Sequence, residues 1–115
     1  MKTLPLTSDE LALLNGVFRR HPEITEVRLF GSRAKGTHAP NSDIDLALWG
    51  ELNALGAQTI AAELDELPLP YKYDVQAFKA IQFAPLREHI ERVGIRIYPE
   101  SEWNYRTGKN RDSEQ

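Results

Sequence analysis

Hydrophobic positions recur along the chain with two alternating periods, and the switches between them predict the elements. From Ser8 to Arg20, Leu11, Leu14 and Phe18 lie three and four residues apart, flanked by Leu13 and Val17, as on the apolar stripe of a helix. Thr7 with Glu10 three residues later has capping-box spacing. Two arginines suit the negative end of the helix dipole, and His21-Pro22 stops the helix. The period then falls to two. Ile24 to Phe30 reads as a strand with Val27 and Leu29 on one face and Arg28 and Phe30 on the other. Asp43 to Trp49 repeats the pattern, with Ile44, Leu46 and Leu48 on the face to be buried and Asp43, Asp45 and Ala47 opposite. Helical spacing returns after Asn53, a good cap, with Leu55, Ala57, Ile60, Ala61, Leu64 and Leu67 expected on the inner face until Pro68-Leu69-Pro70. Tyr71 to Phe78 is a third strand, in which Tyr73, Val75 and Ala77 alternate with Lys72, Asp74 and Gln76. A last helix, Phe83 to Val93, sets Leu86, Ile90 and Val93 on one side and offers Arg87–Glu91 and Glu88–Arg92 as opposite-charge pairs, with Gly94 as its cap. A short strand, Ile95 to Tyr98, closes the series. Helices alternate with strands, so the chain reads as α+β in alternating units, with about four strands in one small sheet flanked by helices.

The segments between elements carry the chemistry. The first strand ends in Gly31-Ser32, and Ser32 to Lys35 can form about one helical turn closed by Gly36. Backbone N–H groups at such a turn make an anion site, to which Ser32 adds a hydroxyl and Arg33 and Lys35 add positive charge. Ten residues after Ser32, Asp43 and Asp45 share a strand face, and Asp74 projects from the polar face of another strand. Magnesium is held by one or two carboxylates plus substrate phosphates, and adjacent carboxylates are relieved of their repulsion by a cation. Three carboxylates on two strands can serve two ions, an arrangement that supports both the attacking and the leaving oxygen of a phosphoryl displacement. An Asp-x-Asp pair by itself is as well explained by a solvated edge strand, and Arg33 and Lys35 by solvated side chains; the coincidence with the glycine-serine turn favours a nucleoside triphosphate with its metal. His21, His38 and His89 lack metal-ligand spacing, and no Gly-x-Ser-x-Gly elbow accompanies Ser32.

Composition narrows this picture. At 115 residues, 41% apolar and 27% charged, the chain is expected to form one domain over residues 1–98, followed by a polar and partly disordered tail over 99–115 in which Trp103 and Tyr105 pack back or form a docking arm. Without cysteine there is no disulfide, zinc-thiolate site or cysteine nucleophile, which fits a reducing cytoplasm. No apolar run is long enough to span a membrane, and Met1 to Leu6 does not read as a signal peptide. A net charge of −3 disfavours direct nucleic-acid binding but leaves room for a local phosphate site.

The spacing Gly31-Ser32, then Ser42-Asp43-x-Asp45, then Asp74-Val75 resembles the signature of the polymerase-β-like nucleotidyltransferases. Gly-Ser-Arg-Ala-Lys-Gly (residues 31–36) and the run Arg87 to Tyr98 look like the minimal, MNT-type members of that superfamily. The resemblance covers roughly Ile24 to Tyr98. It implies a nucleotidyltransferase fold, magnesium on Asp43, Asp45 and Asp74 as catalytic carboxylates, and nucleotide phosphates on Gly31, Ser32, Arg33, Lys35 and Ser42. It also implies transfer of a nucleoside monophosphate, here AMP from ATP, to a hydroxyl. The implied partner is a small helical HEPN protein, a toxin held in a hetero-oligomer and neutralised by adenylylation, or alternatively by steric masking alone. Independently of the resemblance, all but the tail of the chain is expected to be consumed by the core, leaving little to build an acceptor pocket, so either the acceptor arrives on another protein or the site is only a nucleotide sensor.

Overall fold

A computed structural model of the chain describes residues 6–31 and 43–99, together with the backbone of Trp103–Asn104 and Lys109–Asn110. Its elements follow the order α1 (Ser8–Arg19), β1 (Ile24–Phe30), β2 (Ile44–Gly50), α2 (Ala54–Asp65), β3 (Tyr73–Ala77), a single 3₁₀ turn (Phe78–Ala80), α3 (Ala84–Val93) and β4 (Ile95–Tyr98). The four strands form one mixed sheet in the order β3-β2-β1-β4, in which β1 pairs antiparallel with β2 and β4 while β2 and β3 run parallel. Trp103–Asn104 and Lys109–Asn110 pair as a separate two-stranded ladder, in a stretch the sequence reads as tail.

Local signals set the boundaries. Thr7 accepts from the Glu10 amide while the Glu10 carboxylate accepts from the Thr7 amide, so the capping box forms as the spacing predicts. Asn53 caps α2 through the Gly56 amide. Leu55, expected on the inner face of α2, is 69% exposed: at 3.6 residues per turn it lies roughly 160° around the helix from Ala57, and the buried stripe is Ala57, Ile60 and Leu64. The third strand is shorter than its apolar alternation suggests, because Phe78 leaves it to begin the 3₁₀ turn.

Helices α1 and α2 cover one face of the sheet, burying Leu14, Phe18, Ile60 and Leu64 against Val27, Leu29, Ile44, Leu46 and Leu48. Full burial of an aliphatic side chain contributes roughly 1.5–3 kcal/mol, so this cluster is what fixes the register of β1 on β2. Helix α3 covers only part of the opposite face, where Ile90 meets Phe30, Ala47, Phe78 and Ile81. There the Arg28 guanidinium lies 4.8 Å from the Trp49 ring centre, Trp49 stacks on Phe78 at 4.3 Å, and the Arg87 guanidinium lies 4.3 Å from Phe78. Arg87 also donates to the carbonyls of Phe78 and Ile81 at 2.9 and 3.0 Å. That use displaces the Arg87–Glu91 pair expected from the sequence, since buried-side carbonyls leaving a strand need a donor more than an exposed carboxylate needs a cation. Glu88 and Arg92 likewise form no ion pair among the described residues. The apolar cluster under α3 takes in Ala47 and Phe78 but no described residue at the start of β2 or β3, where the acidic residues lie.

Candidate active site

Three strands converge on this end. β1 delivers Phe30 and Gly31; β2 begins beside them, with Phe30 opposite Asp45; β3 begins beside β2, with Asp45 opposite Asp74. The parallel pairing decides the geometry. Directly opposed residues on neighbouring strands project to the same face, which places the Asp45 and Asp74 carboxylates together on the side that α3 leaves uncovered. Asp43, expected as the first residue of the second strand, lies just before it in exposed chain.

Electrostatics register the crowding. Partial burial pushes the Asp45 carboxyl above the usual aspartate range, and the negative charges of Asp74 and then Asp43 push it further. Gly31 is fitted to the same carboxylate. Its φ of +81° is a left-handed conformation that a side chain disfavours. A Cβ there would also stand 2.2 Å from Asp45 Oδ2 and 3.0 Å from its Cγ. The glycine therefore permits two things at once: the turn out of β1 and the seat of the carboxylate against the backbone.

This donor set fits a hard divalent cation. It offers only oxygens, and Asp45 bears an electrostatic penalty that such an ion removes. Among the described residues no three acidic or imidazole side chains converge closely enough to cage an ion unaided. Magnesium takes one or two carboxylates and draws its remaining ligands from phosphates and water.

Of the residues singled out from sequence, Gly31, Asp43, Asp45 and Asp74 are brought to one end of the sheet, whereas Ser32, Arg33, Lys35 and Ser42 lie outside the described residues. Gln76 was not expected: its Nε2 donates to Asp74 Oδ1 at 3.2 Å. Its position two residues along the same strand face is the signal that could have found it. A groove of about 380 Å³ runs between α2 and β3 and includes Asp74 and Gln76 in its lining. A larger hollow of about 590 Å³, lined by Glu51, Leu52, Asn53 and Lys79, lies at the far end of β2 and includes none of the candidate residues. No helix among the described residues is long and apolar enough to cross a membrane.

Comparison with known proteins shows the family and the fold. The family model described as "Polymerase beta, Nucleotidyltransferase" matches residues 13–103. A Haemophilus influenzae protein named "Probable protein adenylyltransferase MntA" is 31% identical over 96 residues, which span 82% of this chain and 83% of that protein. Among solved structures, a toxin-antitoxin with AMP-PNP superposes with a TM-score of 0.65 at 22% identity, covering 95% of this chain and 79% of that one. The tri-AMPylated Shewanella oneidensis HEPN toxin in complex with MNT antitoxin contains a chain that superposes with a TM-score of 0.63 at 18% identity, covering 95% and 78% respectively. At these identities the structural likeness establishes the fold: the expected nucleotidyltransferase architecture.

Proposed function

The chain belongs to the polymerase-β nucleotidyltransferase family, and from that premise we propose that it transfers AMP from ATP to a hydroxyl of a small helical HEPN protein and thereby acts as its antitoxin. The observation that carries this reading is the seat of Asp45, held over Gly31 and opposite Asp74 in a site whose negative charge calls for a cation. The 31% identity to a protein adenylyltransferase supports the reaction class, and the complexes among the structural relatives support the kind of partner.

Asp43 and Asp45, with Asp74, would hold magnesium, two ions in the full arrangement. When bound, the metal neutralises phosphate charge and favours ionisation of the attacking hydroxyl. The chain's own groups do the rest. Gly31 keeps the space in which the Asp45 carboxylate sits. Gln76 engages one oxygen of Asp74, leaving Oδ2 to accept the proton of the acceptor hydroxyl. The acceptor oxygen bonds to the α-phosphorus of ATP, the bond from that phosphorus to the α,β-bridging oxygen breaks, and pyrophosphate leaves with the electron pair. Ser32, Ser42, Arg33 and Lys35 are assigned to the phosphates, where hydroxyl and cationic donors match the departing charge.

The test is incubation with a HEPN protein from the same organism, magnesium and ATP labelled at the α-phosphate. Label should appear on the partner and vanish with Asp43→Ala, Asp45→Ala. Transfer that survives the double substitution sinks the assignment. Full neutralisation of the partner in cells by that same variant would instead identify a purely steric antitoxin.

A further inference from the structure

We propose that the free edge of β3 is where the protein acceptor docks, adding an extended segment as a fifth strand with its hydroxyl-bearing side chain on the carboxylate face. This rests on the reading of the chain as a protein-modifying transferase and names how that substrate is held.

β3 is an outer strand of the sheet. The carbonyl of Lys72 accepts from the Ile44 amide at 2.8 Å, so in the parallel ladder the backbone groups of Lys72, Asp74 and Gln76 turn toward β2. The N–H and C=O of Val75 and the N–H of Ala77 therefore point outward. Among the described residues neither group of Val75 meets a backbone or side-chain partner. Exposed edges are ordinarily blunted by bulges, prolines or inward charges. The opposite edge shows such a device, because the β1–β4 ladder shifts register between Val27 and Arg28. The β2–β3 ladder runs without interruption over all five residues of β3, and β3 contains no proline and no lysine.

The surroundings leave room for a strand. Ala54, Ala57 and Ala61 of α2 form the groove wall facing this edge, and their short side chains leave a space of about 380 Å³ alongside it. The groove also includes Asp74, so it is continuous with the candidate active site rather than a separate hollow. A residue placed opposite Asp74 on an added strand projects to the same face, with Cβ atoms about 4.5–5.5 Å apart. Strand addition thus fixes both the docking and the direction of the acceptor hydroxyl. Main-chain hydrogen bonds hold the segment, and alternate side chains are read by the groove.

Two measurements on the full chain test this. The first follows backbone amide exchange of the chain alone and with a HEPN protein from the same organism. The Val75 and Ala77 amides should slow about tenfold or more in the complex, as expected for newly hydrogen-bonded groups. The second uses Gln58→Trp, which fills the groove from an exposed helical position and leaves the carboxylates untouched. It should raise KM for the partner about tenfold, the equivalent of about 1.4 kcal/mol, with MgATP affinity unchanged. Unprotected amides in the complex, an unchanged KM, or no complex at all would overturn the docking edge. Protection that appears without the partner and grows with concentration would assign the edge to a second copy and overturn it too. Protected amides without label transfer would leave the docking edge standing while refuting the transferase reading; label transfer with unprotected amides would do the reverse.

Discussion

Gly31→Ala is the sharpest perturbation of the site. The added methyl carbon would lie 2.2 Å from Asp45 Oδ2 and 3.3 Å from its Cβ, so rotating the carboxylate relieves only part of the conflict. The backbone φ of +81° opposes alanine independently. Holding a non-glycine residue in that region costs about 1–2 kcal/mol, and displacing a side chain into the protein adds to it. We therefore expect urea unfolding to show a loss of about 1–3 kcal/mol with an unchanged slope. Gly16→Ala is the control: no atom stands within 4 Å of its added Cβ, and in mid-helix it should stabilise by roughly 0.5–1 kcal/mol. Label transfer to the partner should fall about 100-fold in Gly31→Ala, because a reacting group misplaced by 1 Å costs that much. Transfer within about threefold of wild type, together with the predicted destabilisation, would refute the reasoning that Gly31 is kept for the seat of Asp45, since a threefold change is only about 0.7 kcal/mol.

Three further outcomes follow from the same geometry. Asp45→Asn should stabilise the fold at pH 7 while abolishing transfer. An aspartate with a raised folded-state pKa destabilises above that pKa and is relieved as pH falls toward the ordinary value, so wild-type stability should rise on mild acidification and the variant's should not. Glu63 behaves oppositely. Its pKa is lowered by the hydrogen bond from His21, at 2.9 Å, and more weakly by Arg20, so its contribution is present above the ordinary glutamate range and lost as pH falls through the folded value. Glu63→Gln should remove that acid-side slope at a cost of at most about 1 kcal/mol near neutrality, readable in thermal melts across pH. Leu46→Ala, at a fully buried position of β2 between the carboxylates and the helices, should cost about 2–5 kcal/mol by denaturant unfolding.

Much of this molecule was legible in its amino-acid order, because the decisive signals were local. The capping box at Thr7, the Asn53 cap, and the alternation in β1 and β2 each depend on residues within a turn or two of one another. The same holds for the glycine that leaves β1 and for the sharing of one face by Asp45 and Ala47. Where local pattern misled, a distant neighbour intervened. Leu55 stands on the side of α2 away from the buried stripe of Ala57, Ile60 and Leu64, Phe78 leaves the strand to stack on Trp49, and Arg87 serves carbonyls rather than Glu91.

The periodicity of the chain determined that Asp45 and Asp74 each stand on the polar side of a strand. Periodicity says nothing of which strands are neighbours, and only the order β3-β2-β1-β4 set the two carboxylates opposite one another. The same order left β3 at an edge of the sheet that pairs with no other strand among the described residues. Strand pairing is a contest among long-range contacts settled by burial over the whole core, and no window of sequence contains that sum.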